Sequence, residues 1–231
     1  MNIETKPLWD EPAKENINLS GNEVHLWELC PSHSYIESLN SAERGRCAAI
    51  TDDEVKVSYA TSQAGLRRIA SRYEKCANGE VIMKRAERGK PYIDGGPEFN
   101  LSHTAGRIFA AFSCEPVGLD VESASRPVHA DSLAAKFFSK AEADCLLTVN
   151  DSLRKRAFLR YWVCKEAMVK LSGDGIYHGL RDALVDLREG GRSGGRYCGR
   201  EVWIQEFCPA PGFLAALASW QPLEVKCFFR I

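Results

Sequence analysis

The 231-residue chain is poor in the signatures by which many functions announce themselves. It has nine cysteines, but they are odd in number and scattered, with no CxxC and no Cys/His cluster of metal-ligand spacing. That argues against a zinc module and a disulfide framework, and reads the cysteines as small hydrophobes in a reducing compartment. No basic stretch followed by an apolar one opens the chain, and no apolar run is long enough to span a bilayer. The expectation is a cytoplasmic protein without membrane contact. Charge of one sign is also missing: 30 Lys and Arg meet 31 Asp and Glu, a net charge of -1. A polyanion must therefore be met by a local site, and nucleic acid is not an expected partner. GxxxxGK[ST] and GxGxxG are both absent, which removes the P-loop and Rossmann readings.

What is present is an alternation of strand-like and helix-like segments. Residues 1–22 are polar and lack periodicity, an N-terminal arm. "EVHLWELC" reads as a strand, and "SHSYIESLNSAERGRCAAI" and "DEVKVSYATSQAGLRRIASRYEKC" as helices. Short β-like runs follow, punctuated by Gly95, Gly96 and Pro97. From "VGLDVE" onward the order repeats, ending in strands. Gly106, Ala110 and Ser113 recur at the same spacing as Gly212, Ala216 and Ser219. The expected fold is α+β, a pseudo-dimer of two similar halves, 23–116 and 117–231, with a ligand cleft between them. "REGGRSGGRYCGR" reads as a flexible hairpin tip.

Asp120 and Glu122 in "VGLDVE" are two apart on a strand and so share a face. Paired carboxylates repel, and a hard divalent cation relieves the repulsion. An edge strand with a solvated acidic face explains the same pair. In "WVCKEAMVK", at 100° per residue, Glu166 lies within the arc of Phe158, Leu159, Trp162 and Val169, with Lys165 and Lys170 near the arc's edges. A carboxylate on a packed face needs a cation. An i,i+4 bridge to Lys170 would supply one; a metal shared with Asp120 and Glu122 would supply another. Lys90, Ser102 and His103 cluster near a turn suited to an anion. Ser102 and His103, adjacent on a strand, point to opposite faces and cannot act as nucleophile and base.

The ordered set "GKPYIDGGPEFNLSHT", "VGLDVE", "FFSKAEADCLL" and "WVCKEAMVKLSGDGI" resembles the Sfp-type 4'-phosphopantetheinyl transferases. The match covers about residues 88–180. The resemblance implies transfer of phosphopantetheine from coenzyme A to a serine of an acyl or peptidyl carrier protein, releasing adenosine 3',5'-bisphosphate. It implies Mg²⁺, or Mn²⁺, held by Asp120, Glu122 and Glu166. Glu166, directly or through a metal-bound water, becomes the base. Lys165 and Lys170 become pyrophosphate contacts, with Lys170 stabilising the leaving phosphate. Lys90, Pro91, Ser102 and His103 become contacts of the coenzyme's nucleotide end, and Glu142 an acid near the site. The tandem form implies a monomer. Where many relatives carry an arginine on the early helix, this chain has Gln63, with Lys56, Arg67 and Arg68 nearby. The basic run Arg154–Arg156 and the segment after "VGLDVE" are candidate carrier contacts. Two other readings of the same acids are a metal-dependent phosphoesterase or nuclease, and a coenzyme A binding module without catalysis.

Overall fold

The structure, a computed structural model, describes residues 17–74, 80–173 and 179–231. Most of the expected N-terminal arm, 1–16, and the end of the "WVCKEAMVKLSGDGI" motif, 174–178, lie outside the described residues. The chain divides into two compact units, each with its own antiparallel-rich sheet and its own helices. That is the α+β class expected.

In the first unit, β1 (Glu23–Leu29) pairs antiparallel with β5 (Arg107–Ser113), which pairs with β4 (Glu98–Thr104). A short hairpin, β2 (Met83–Arg85) and β3 (Pro91–Ile93), precedes β4. The expected helical stretch after β1 is broken in two, α1 (Ser34–Glu37) and α2 (Ser41–Ala48), because Asn40 caps α2 in a reciprocal box with Glu43. The next stretch is continuous but not uniform. α3 (Asp53–Ala60) and α4 (Leu66–Glu74) are joined by a π-helical turn, Thr61–Gly65. Leu66, Ile69 and Ala70 of α4 pack on Trp27, Leu29 and Phe112 of the sheet. At Gly65 a Cβ would lie 2.5 Å from Leu29 Cδ2, so this close packing admits only glycine there without a shift of Leu29. The last strand, β11 (Glu224–Arg230), returns to this sheet and pairs in parallel with β1.

In the second unit, β6 (Val117–Ser123) begins a five-stranded sheet of order β6-β10-β9-β8-β7. β7 is Leu184–Asp186, β8 Arg192–Tyr197, β9 Arg200–Phe207 and β10 Phe213–Ser219. The helices are α5 (Ala130–Phe137), α6 (Lys140–Thr148) and α7 (Asp151–Ser172). Ser139 and Glu142 form a capping box that starts α6 and ends the helical run before it. α7 starts at the Asn150 cap and stops at Gly173, whose φ of 80° is the left-handed conformation glycine adopts freely. Its apolar residues, Phe158, Val163, Ala167 and Met168 among them, form the core with Leu214, Ala216 and Ala218.

The strand order is β1-β5-β4 in one sheet and β6-β10-β9 in the other. Gly106 (φ 73°) and Gly212 (φ 79°) both turn the chain into the strand that follows. Ala110 lies opposite Trp27, and Ala216 opposite Asp120. Ile108 lies opposite Leu29, and Leu214 opposite Glu122. The second unit thus has carboxylates where the first has a core tryptophan and leucine.

Two expectations change. The glycine-rich "RSGGRY" is a strand, not a loop tip, and the turn is Cys198-Gly199. A Cβ on Gly195 would meet Leu184 O at 2.5 Å and Met168 Cε at 2.8 Å, so the glycine lets β8 lie close to its neighbours. The cysteines are not uniformly packed: Cys47 and Cys164 are buried, whereas Cys30, Cys114, Cys145 and Cys198 are exposed.

Candidate active site

β6 is buried along its whole length, on both faces. Val117, Leu119 and Val121 fill one face; Gly118, Asp120 and Glu122 form the other. That second face lies against α7, since a Cβ on Gly118 would sit 2.0 Å from the Ala167 carbonyl oxygen and 2.6 Å from the Leu171 nitrogen. No side chain fits there. The helix backbone therefore comes down onto the strand at Gly118, and the next two residues on that face, Asp120 and Glu122, are carboxylates only 4% and 8% exposed. The solvated acidic strand is ruled out by these values.

Glu166 and Lys170 come from the facing side of α7. Lys170 Nζ lies 2.6 Å from Asp120 Oδ1. The i,i+4 bridge to Glu166 does not form; the lysine reaches across to the strand instead. Glu122 is paired with the guanidinium of Arg126, which also lies 6.0 Å over the ring of Trp162. Glu166 is 9% exposed, and among the described residues no hydrogen bond or ion pair engages its carboxylate. Burial pushes its pKa up to about 7, the charge of Asp120 adds to the effect and that of Glu122 more weakly, while Lys170 and Arg126 oppose it. Lys90 Nζ donates to the Leu171 carbonyl oxygen at 3.2 Å, which puts a second ammonium at the C-terminal turn of α7, where the helix dipole favours cations.

Lys165 is placed elsewhere. It is wholly buried, and its ammonium lies 2.8 Å from Glu142 Oε2, 2.9 Å from the Leu180 carbonyl oxygen and 2.5 Å from that of Ala183. An ammonium has three N–H donors, and these three acceptors take them all. The pyrophosphate contact expected of Lys165 is therefore set aside. Glu142 turns inward with it and is not a free acid near the carboxylates. Pro91, Ser102 and His103 belong to the first unit, at β3 and β4. Ser102 is buried and His103 exposed, the opposite orientations that the strand period requires. Arg126 was not singled out by the sequence, and the only signal it gives is its position four residues beyond Glu122.

The donor set of Asp120, Glu122 and Glu166 suits a hard divalent cation, all oxygen and jointly short of positive charge. Among the described residues, no three acidic, histidine or cysteine side chains stand arranged to hold a metal ion. Asp120 and Glu122 face Lys170 and Arg126 instead. The residues fit the ion in their chemistry.

Residues 116–211, which include β6 and α7, match the profile of the 4'-phosphopantetheinyl transferase superfamily. The chain is 32% identical over 177 residues to the 4'-phosphopantetheinyl transferase HetI of Nostoc sp. (strain PCC 7120), an alignment covering 71% of this chain and 75% of that one. It is 31% identical to the 4'-phosphopantetheinyl transferase psf-1 of Bacillus pumilus, over 64% of each chain. To the 4'-phosphopantetheinyl transferase Sfp of Bacillus subtilis (strain 168) it is 30% identical, over 55% of this chain and 57% of that one. With a relative above 30% identity matched over three quarters of its length, and the matched residues enclosing the acids of β6 and α7, the chain belongs to the 4'-phosphopantetheinyl transferase family.

Proposed function

We propose that this chain transfers the 4'-phosphopantetheine group from coenzyme A to a serine hydroxyl of an apo acyl or peptidyl carrier protein. The observation that carries the mechanism is the placement of Glu166: a buried carboxylate beside two further acids, with Lys170 on one of them. A carboxylate held at the site is suited to taking a hydroxyl proton in the transition state. In this reading Glu166 accepts the serine proton as the serine oxygen attacks the β-phosphorus of the coenzyme. The bond from that phosphorus to the bridging oxygen breaks, and adenosine 3',5'-bisphosphate leaves. Lys170, 18% exposed at its side chain, is poised to exchange Asp120 for the charge that develops on the leaving phosphate. Lys90 adds a second cation at the same helix end. Pro91, Ser102 and His103 are proposed contacts of the coenzyme's nucleotide end.

Mg²⁺, or Mn²⁺, is proposed at Asp120, Glu122 and Glu166, where it would neutralise the pyrophosphate. No helix among the described residues is long and apolar enough to cross a membrane; a cytoplasmic monomer acting on a carrier protein is the proposed setting.

The test is to incubate the protein with Mg²⁺, dye-linked coenzyme A and an apo carrier protein, and to look by mass spectrometry for label on the carrier serine. Asp120→Ala and Glu166→Gln should abolish transfer with the fold kept, and Lys170→Ala should slow it by about 100-fold or more. Hydrolysis of the coenzyme with no labelled carrier would instead identify a phosphoesterase. Tight coenzyme binding without either product would identify a binding module.

A further inference from the structure

Lys165 and Glu142 have no part in the chemistry just proposed, yet they form a buried ion pair within the same unit. Lys165 is 0% exposed and Glu142 6%. Glu142 sits in the first turn of α6, where its backbone N–H donates to Ser139 Oγ and its Oε2 accepts from the Ser139 N–H at 2.8 Å. Its Oε1 accepts from the Val185 N–H of β7, also at 2.8 Å. Lys165 adds the carbonyls of Leu180 and Ala183. One ammonium on α7 is thus tied to the start of α6 and to the segment that enters β7.

Such a pair is a poor source of stability. Two buried charges lose hydration that their attraction barely returns, and apolar side chains of the same volume often serve as well. Hydrophobic contact is non-directional, whereas hydrogen bonds fix both distance and angle. Three bonds from one ammonium therefore add a directional restraint on rotation of α7 about its own axis to the packing of Val163, Cys164, Ala167 and Val169. The next residue is Glu166, 100° further round the helix. A carboxylate about 5–6 Å from a helix axis moves about 1 Å for every 10° of rotation. A misplacement of that size can cost about 100-fold in rate.

We propose that Glu142 and Lys165 are positioning residues: their buried pair fixes the rotation of α7 and so directs Glu166 toward Asp120 and Glu122. The role rests on the transferase reading of Glu166.

The test compares wild type with Lys165→Met, Glu142→Gln and the double variant, assayed for carrier labelling well below each melting temperature. Each single variant should lose about 10- to 100-fold in kcat, with KM for coenzyme A changed by no more than about twofold. The double variant should be no worse than either single, since both break one device. Variants that melt earlier but keep the wild-type kcat would overturn the proposal, leaving the pair a stability element only. A raised KM for coenzyme A in Lys165→Met but not in Glu142→Gln would also overturn it, by making Lys165 a coenzyme contact. If the neutral variants do not fold, Glu142→Asp keeps the charge, shortens the arm by one methylene and carries the same expectation. Absence of transfer by the wild type fails the transferase reading instead. Mn²⁺ affinity by titration calorimetry then decides about the pair: weakened equally by both substitutions if it positions Glu166, unchanged if it does not.

Discussion

Glu166 is held at an electrostatic disadvantage that can be measured directly. Its carboxyl, ordinarily near 4.5, is pushed up to about 7 by burial and by Asp120, so the folded protein keeps the proton that the unfolded chain gives up. Below about pH 4.5 both states are protonated and the group is neutral to stability. Between about 4.5 and 7 the folded state binds more protons than the unfolded one, so stability falls as pH rises, and above about 7 the loss is complete. The accumulated cost is roughly 3 kcal/mol. Glu166→Gln, which cannot ionise, should therefore be the more stable protein in metal-free buffer at pH 8, with the advantage shrinking as pH approaches 5; urea unfolding across that range reads it. The same reasoning gives a sign for metal binding. Mg²⁺ or Mn²⁺ among the three acids should expel the Glu166 proton, roughly half a proton per site at pH 7. Calorimetric titration in two buffers of different ionisation enthalpy should show that release in the wild type and not in Glu166→Gln.

At the scale of the elements, the site depends on how closely α7 lies on β6. Gly118 makes that approach possible: a methyl group there would fall 2.0 Å from the Ala167 oxygen and could be accepted only by lifting the helix. Gly118→Ala should cost about 3 kcal/mol or more, at the upper end of what overpacking usually costs. It should also weaken Mn²⁺ binding, since Glu166 would be lifted away from Asp120 and Glu122; thermal melts and metal titration check the two effects. Much of this contact was legible in the sequence. A period of two puts Asp120 and Glu122 on one face, and 100° per residue puts Glu166 among the packed side chains, because these are local properties of one strand and one helix. Lys165 and Lys170 were not resolved the same way. Both lie near the edge of the packed arc, and what decides their direction is distant in sequence: Asp120 for one, Glu142 and the carbonyls at 180 and 183 for the other. Local periodicity also gave no notice that "RSGGRY" is a strand, since Gly195 answers to Leu184 and Met168 rather than to a turn.

Across the whole molecule, two sheets of the same core order place a common framework under different duties. The position of Asp120 is taken by Trp27 in the first sheet and that of Glu122 by Leu29, so only the second carries acids on that face. The first sheet is completed from the far end of the chain. Ile231 N–H donates to the Glu28 oxygen at 3.0 Å, Cys30 N–H donates to the Ile231 oxygen at 2.7 Å, and Arg230 Nε donates to Glu28 Oε2 at 2.7 Å. Phe229 adds a ring 4.5 Å from that of Trp27. A parallel pairing between residues about 200 positions apart closes a long loop late, and nothing local in "LEVKCFFRI" says which sheet it joins. Removing residues 224–231 strips β1 of its partner on one side and exposes the row of N–H and C=O groups that β11 covered. Amide hydrogen exchange of the truncated chain should then show protection lost first in β1 and β5, before β6, β9 and β10, whose ladders contain no residue of the deleted segment. Equal loss in both sheets would mean that the sheets unfold as one cooperative unit, and an unchanged β1 would mean that its pairing with β5 alone is enough to hold it.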